Sequence, residues 1–185
     1  MDKKVLVAIA DGIEEVEAAC IIDVLRRAGA QVTVASVGDL QVTASREVKI
    51  VADKLVCDCG DEQFDLIVLP GGMPGAENLR DSKELEAMLK RQSKAGRLFA
   101  AICASPAVVF AHHGLIEGRK ATCYPSFAER LSNRAAAESR VVVDGNCITS
   151  QGPGTALEFA LKLAEVLFGG EKADKIAAAM LVKRG

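Results

Sequence analysis

The 185-residue chain is 50% hydrophobic and 26% charged, with a formal net charge of -2, the balance of one folded domain with a core of ordinary size. Nothing in that charge favours nucleic acid or an anionic membrane surface as a partner. The apolar run Val5 to Ala10 is too short for a signal-peptide core or a membrane span, and Asp11-Gly12 follows it at once. A single domain over residues 1–185, working in the cytoplasm, is therefore expected.

Lys4 to Ala10, Gln31 to Val37, Asp65 to Pro70 and Arg97 to Ile102 are short apolar runs, the form of strands covered on both faces. Between the first pair, Glu14 to Ala28 predicts a helix closed by Gly29; between the second, Ser82 to Ala95 predicts another, capped by Ser82 and closed by Gly96. Two β-α-β units of this kind imply right-handed crossovers and an α/β doubly wound, mostly parallel sheet sandwiched by helices. Leu40 to Val51 alternates polar and apolar residues and predicts an antiparallel hairpin or an excursion at the sheet edge. Asp144-Gly145-Asn146 is a turn between the strands Arg140 to Val143 and Cys147 to Thr149. The stretch from Pro153 to Gly170 predicts a helix, and Glu171 to Val182 a last one.

In such a sheet, ligands bind beyond the C-terminal ends of the strands. Three junctions lie there: Asp11 to Glu17, Gly71 to Gly75, and Cys103-Ala104-Ser105-Pro106. Cys103 ends a strand just before the helical stretch Ala107 to Ala111, in a turn resembling a nucleophile elbow. A helix N-terminus there would stabilise a thiolate and lower the thiol pKa; the alternative is a buried, inert cysteine. Glu17 falls on the stripe Cys20, Ile21, Val24 and Ala28 that should face the sheet. Burial would keep its carboxyl protonated and able to exchange a proton with sulfur or substrate, unless it only caps the first turn as Glu14 and Glu15 do. Gly71-Gly72 lets backbone N–H groups approach an oxyanion, though a tight turn is the commoner explanation of a double glycine and a phosphate cradle a further one, without the Lys-Ser/Thr of a P-loop.

Other polar groups point less clearly to chemistry. Gly152-Pro153-Gly154-Thr155 reads as a structural cap at a helix start. His112-His113 precedes Gly114 at a helix end, where a cation offsets the negative dipole. Cys57-Asp58-Cys59 lacks the second Cys/His pair a zinc site needs, so no metal centre is expected and the segment reads as a loop near the sheet edge. The six cysteines, Cys20, Cys57, Cys59, Cys103, Cys123 and Cys147, are scattered through apolar segments and read as reduced thiols.

Taken in order, Glu14-Glu15-Val16-Glu17, Leu69-Pro70-Gly71-Gly72, Ala100-Ala101-Ile102-Cys103-Ala104 and Thr149 to Thr155 resemble the DJ-one branch of the ThiJ/PfpI superfamily over essentially the whole chain. Ala44-Ser45-Arg46 adds to the resemblance, since that branch places an arginine near a partner's active site across a homodimer interface. The resemblance implies a flavodoxin-like sandwich and a homodimer, with no cofactor. It also implies an oxidation-sensitive nucleophile at Cys103, a protonated partner at Glu17 and an oxyanion site at Gly71 and Gly72, adjoining Ala104. Relatives of this kind are described as glutathione-independent glyoxalases acting on small reactive aldehydes such as methylglyoxal, as deglycases, or as chaperones and redox sensors in the oxidative-stress response. Ala104 stands where the protease-like branch has a histidine, which argues against a Cys-His peptidase. Tyr124 stands where several relatives carry a histidine, and its hydroxyl can donate a hydrogen bond.

Overall fold

The computed structural model describes residues 3–183. Its main sheet has seven strands, in the order β5 (Lys54–Leu55), β2 (Gln31–Ser36), β1 (Lys4–Ile9), β6 (Leu66–Leu69), β7 (Leu98–Ile102), β9 (Cys147–Ser150) and β8 (Val141–Asp144). The parallel core consists of β1, β2, β6 and β7, within a residue or two of the four apolar runs. β1 is flanked by β2 on one side and β6 on the other, with Val7 paired to both Val34 and Val68. All four strands are buried towards their C-terminal ends, which is why they read as unbroken apolar runs rather than as alternation. β9 adds in parallel to β7, and β8 pairs antiparallel with β9 through the predicted turn.

The chain leaves β1 towards β2 through α1 (Glu15–Arg27) and leaves β6 towards β7 through α2 (Gly75–Asp81) and α3 (Lys83–Lys94). These two crossovers run in opposite directions from the sheet centre, so right-handed connections put their helices on opposite faces. α4 (Ala156–Phe168) and α5 (Gly170–Ala179) join α1, with Val24, Ala28, Ala160, Ala164 and Ile176 forming a second small core between them. Ser82 caps α3, its Oγ accepting from the Leu85 N–H at 3.2 Å. Among the described residues no helix is long and apolar enough to cross a membrane.

The predicted hairpin is present as β3 (Gln41–Thr43) and β4 (Lys49–Val51), but it forms a separate two-stranded sheet rather than extending the main one. It is tied instead to the β1–α1 loop: the Gly12 N–H donates to Thr43 O at 2.8 Å, the Thr43 N–H to Asp11 Oδ1 at 2.7 Å, and the Ser45 N–H to Ile13 O at 2.7 Å. Short elements escaped the sequence pattern, among them β5 (Lys54–Leu55), the 3₁₀ turn Val56–Cys59 that carries the two near-adjacent cysteines, and α2. The segment after Cys103 is a π-helix, Pro106–Ala111, rather than an α-helix. His113 does not act as an exposed terminal cation. Its side chain is buried, with Nε2 3.0 Å from Arg80 O, and burial lowers its pKa.

Candidate active site

Three loops converge at the C-terminal ends of β1, β6 and β7. Cys103 follows β7 directly with φ of +64°, a left-handed conformation that a non-glycine residue adopts only when its surroundings hold it there. Here they do: the Cys103 N–H donates to Ser150 O at 3.0 Å, its carbonyl accepts from the Tyr124 N–H at 2.7 Å, and the buried Ser105 hydroxyl donates to Pro70 O at 2.5 Å. Ser105 thus ties the cysteine turn to the glycine turn after β6. The sequence held no periodic signal for that role.

Gly71 and Gly72 are glycines for steric reasons. A Cβ on Gly71 would lie 2.5 Å from Cys103 Cβ, and one on Gly72, whose φ is +89°, would lie 2.4 Å from the Glu14 nitrogen. The expected pair of oxyanion donors is corrected in part. The Gly71 N–H is already spent on Glu17 Oε2 at 2.7 Å, and the backbone N–H groups directed at the sulfur are those of Gly72 and Ala104.

Glu17 lies in the first turn of α1 and is fully buried, on the face it shares with Ala18, Ile21, Val24 and Leu25. Its Oε1 is buried without a conventional hydrogen-bond partner among the described residues, and the carboxyl also interacts with the Cys103 thiol and, by charge, with Glu14. Burial, outweighing the Gly71 N–H and the thiol, raises its pKa from 4.5 to about 7. The carboxyl therefore gains and loses a proton near neutrality, as an acid–base group should.

The expected low-pKa thiol is not found. Burial first, and the Glu17 carboxylate second, push Cys103 up to about 12 against the opposing Gly72 and Ala104 N–H groups. Cys103 is nonetheless open to a cavity of about 300 Å³, whereas burial alone pushes Cys123 up to about 11. Cys147, deeper still, reaches about 12.

The cavity is two-sided. Ala104, Met73, Tyr124, Phe127 and Pro153 give it an apolar part, and Glu14, Ser45 and Arg46 a polar one. Arg46 thus belongs to the cavity of its own chain. Glu14 and Glu15 position it rather than merely capping α1: Ser45 Oγ donates to both carboxylates at 3.0 Å, and the Arg46 N–H donates to Glu15 Oε1 at 2.9 Å. Burial raises the Glu15 pKa, but its hydrogen bonds from the backbone and Ser45 outweigh that and lower it. Tyr124 is present at the mouth, half-exposed. Met73 and Ser45 fall in stretches the sequence singled out, whereas Phe127 carried no sequence signal of a site, because it reaches the cavity only through tertiary docking. Among the described residues no cluster of three or more His, Cys, Asp or Glu is arranged to hold a metal ion.

The order of elements and this cysteine turn have a match among known families: the DJ-1/PfpI family profile matches residues 3–166. The chain belongs to the DJ-1/PfpI family. Within it, Protein DJ-1 homolog B of Arabidopsis thaliana is 52% identical over 180 residues, 97% of this chain and 41% of that protein. The chain thus spans about two fifths of the length of that relative. The DJ-1/PfpI relative named Glutathione-independent glyoxalase DJR-1.2, from Caenorhabditis elegans, is 38% identical over 165 residues, 88% of this chain and 87% of that one. The solved structure described as Toxoplasma gondii DJ-1, oxidized, superposes with a TM-score of 0.96 at 53% identity, covering 98% of this chain and all of that one.

Proposed function

We propose that this protein is a cofactor-free, glutathione-independent glyoxalase, converting methylglyoxal to lactate and open to deglycase action on early glycation adducts. The observation that carries the reading is the pairing of a cavity-facing Cys103 with a buried Glu17 that titrates near 7. The C. elegans relative's name supports the same activity class.

Because the resting sulfur is a thiol, its proton must leave as it attacks. Sulfur forms a bond to the aldehyde carbon, the carbonyl π pair moves to oxygen, and Glu17 carboxylate relays the thiol proton to that oxygen. The Gly72 and Ala104 N–H groups offset the developing negative charge. Glu17 then takes the proton from the former aldehyde carbon and delivers it to the neighbouring carbonyl carbon, while the hydroxyl proton moves to the neighbouring oxygen. The product of that step is a lactoyl thioester. Water cleaves the C–S bond, releasing lactate and restoring the thiol.

Replacing Cys103 by Ser is expected to abolish methylglyoxal conversion without glutathione, measured as lactate formed. Retained conversion in that variant refutes the scheme. A second reading, a redox sensor or chaperone of the oxidative-stress response acting through oxidation of Cys103, is favoured by the oxidised state of the Toxoplasma gondii relative. Selective peroxide oxidation of Cys103 with negligible aldehyde turnover would establish it instead. We place the protein in the cytoplasm as a homodimer; exposed Val16, Val48 and Val51 on α1 and the hairpin offer apolar surface for the second copy.

A further inference from the structure

Resting on the glyoxalase reading, we infer that Tyr124, seated against Gly152, sets the substrate class. Its ring walls the cavity for the substituent of an α-oxoaldehyde and favours an apolar, aromatic substituent over a methyl group.

Three observations carry this. The first is room. The cavity holds about 300 Å³, whereas methylglyoxal, with five non-hydrogen atoms, fills only about 100 Å³ when a liquid water takes ~30 Å³. The second is the lining beside the sulfur, where Met73, Ala104, Phe127 and Tyr124 present apolar surface and Met73 and Tyr124 are exposed at the mouth. The third is how the ring is held. The Tyr124 N–H is bonded to the carbonyl of Cys103 itself at 2.7 Å, so the wall is registered to the nucleophile. A Cβ on Gly152 would lie 3.3 Å from Tyr124 Cδ2 and 3.8 Å from Cε2. Gly152 has an extended φ of 166°, so its backbone does not call for glycine; the nearness of the ring does.

The Tyr124 backbone is held at both ends, its N–H by Cys103 O and its carbonyl by the Phe127 N–H at 2.9 Å, so the ring is placed by its backbone and lies close to Gly152. Burying a phenyl group against such a wall is worth more than burying a methyl group, by the difference in apolar area removed from water. Specificity of this kind amounts to about 10- to 200-fold per added apolar group.

Alkylation of Cys103 reads the wall without needing turnover. Bromoacetone and phenacyl bromide are both neutral; with either, sulfur bonds to the methylene carbon, bromide leaves with its bonding pair, and the thiol proton passes to solvent. The rate for phenacyl bromide over that for bromoacetone, followed by mass spectrometry and divided by the same ratio for glutathione, is expected to exceed about tenfold in the wild type. Tyr124→Ala should bring it within about twofold of unity, and Tyr124→Phe should keep the wild-type ratio, since only the hydroxyl is lost. Gly152→Ala, which presses on the ring, should lower it. A wild-type ratio near unity, a ratio unchanged by Tyr124→Ala or Gly152→Ala, or one lost in Tyr124→Phe overturns the inference. Turnover of phenylglyoxal and methylglyoxal by the wild type and by Cys103→Ser is measured beside it. Absence of turnover in the wild type retires the glyoxalase reading and leaves the alkylation ratio to judge the wall.

Discussion

Glu17 and Cys103 compete for one negative charge. With Glu17 ionised the thiol is held up to about 12; with Glu17 protonated, the negative charge that is the second-largest cause raising it is gone. Glu17→Gln should therefore split two readouts that a generally damaged site would lower together. Aldehyde turnover should fall by about a hundredfold or more, the scale of positioned acid–base catalysis, while alkylation of Cys103 by iodoacetamide at pH 8 should accelerate. The same substitution tests stability. A carboxyl raised from 4.5 to about 7 in the folded protein stabilises fully below pH 4.5, and that contribution is lost as pH rises through 7. At about 1.4 kcal/mol per pH unit, the loss is on the order of 3 kcal/mol. Urea unfolding at pH 5 and pH 8 should show this decline in the wild type and its absence in Glu17→Gln. That Glu17 would face the interior was legible in the 3.6-residue spacing, though Ala18 and Leu25 complete its face and Cys20 is only half-buried. The thiol pKa was not legible, because it depends on how deeply neighbouring elements bury the sulfur.

At the scale of elements, the site depends on loops that approach too closely for side chains. Gly75 shows the same constraint as Gly71, a Cβ there falling 2.3 Å from the Ile13 nitrogen. Gly71→Ala should displace the Cys103 turn and cost stability by about 1–3 kcal/mol as an overpacked contact, with turnover falling further than stability. Denaturant unfolding beside lactate assays would check both. Ser82→Ala tests an ordinary cap that does not line the cavity: a loss of about 0.5–2 kcal/mol is expected, with aldehyde turnover intact. Element type and position were legible wherever apolar spacing ran for a full strand or helix. α2, at seven residues, and β5, at two, are too short to show a period. The Leu40–Val51 alternation announced a hairpin, but its docking on the β1–α1 loop, which brings Arg46 to the cavity, is a tertiary event.

Across the whole molecule, the main core is built on β1, β2, β6, β7 and β9 and includes large buried side chains such as Phe99, Phe110 and Phe159. Phe159→Ala, in the first turn of α4, should destabilise by about 3–5 kcal/mol, read by urea unfolding. The buried thiols add a second pH limit. Burial pushes Cys103 and Cys147 from an ordinary 9.0 up to about 12, so their stabilising contribution is present below pH 9 and is lost as pH rises towards 12. The sequence by itself determined the strand and helix order, and with it the doubly wound sheet and the edge where ligands bind, because buried strands must be apolar and crossovers right-handed. Only the tertiary structure decided which N–H groups face the sulfur, how far the thiol and carboxyl are pushed from their ordinary pKa values, and what Tyr124 rests on. Those quantities come from contacts between residues far apart in the chain, to which local periodicity is blind.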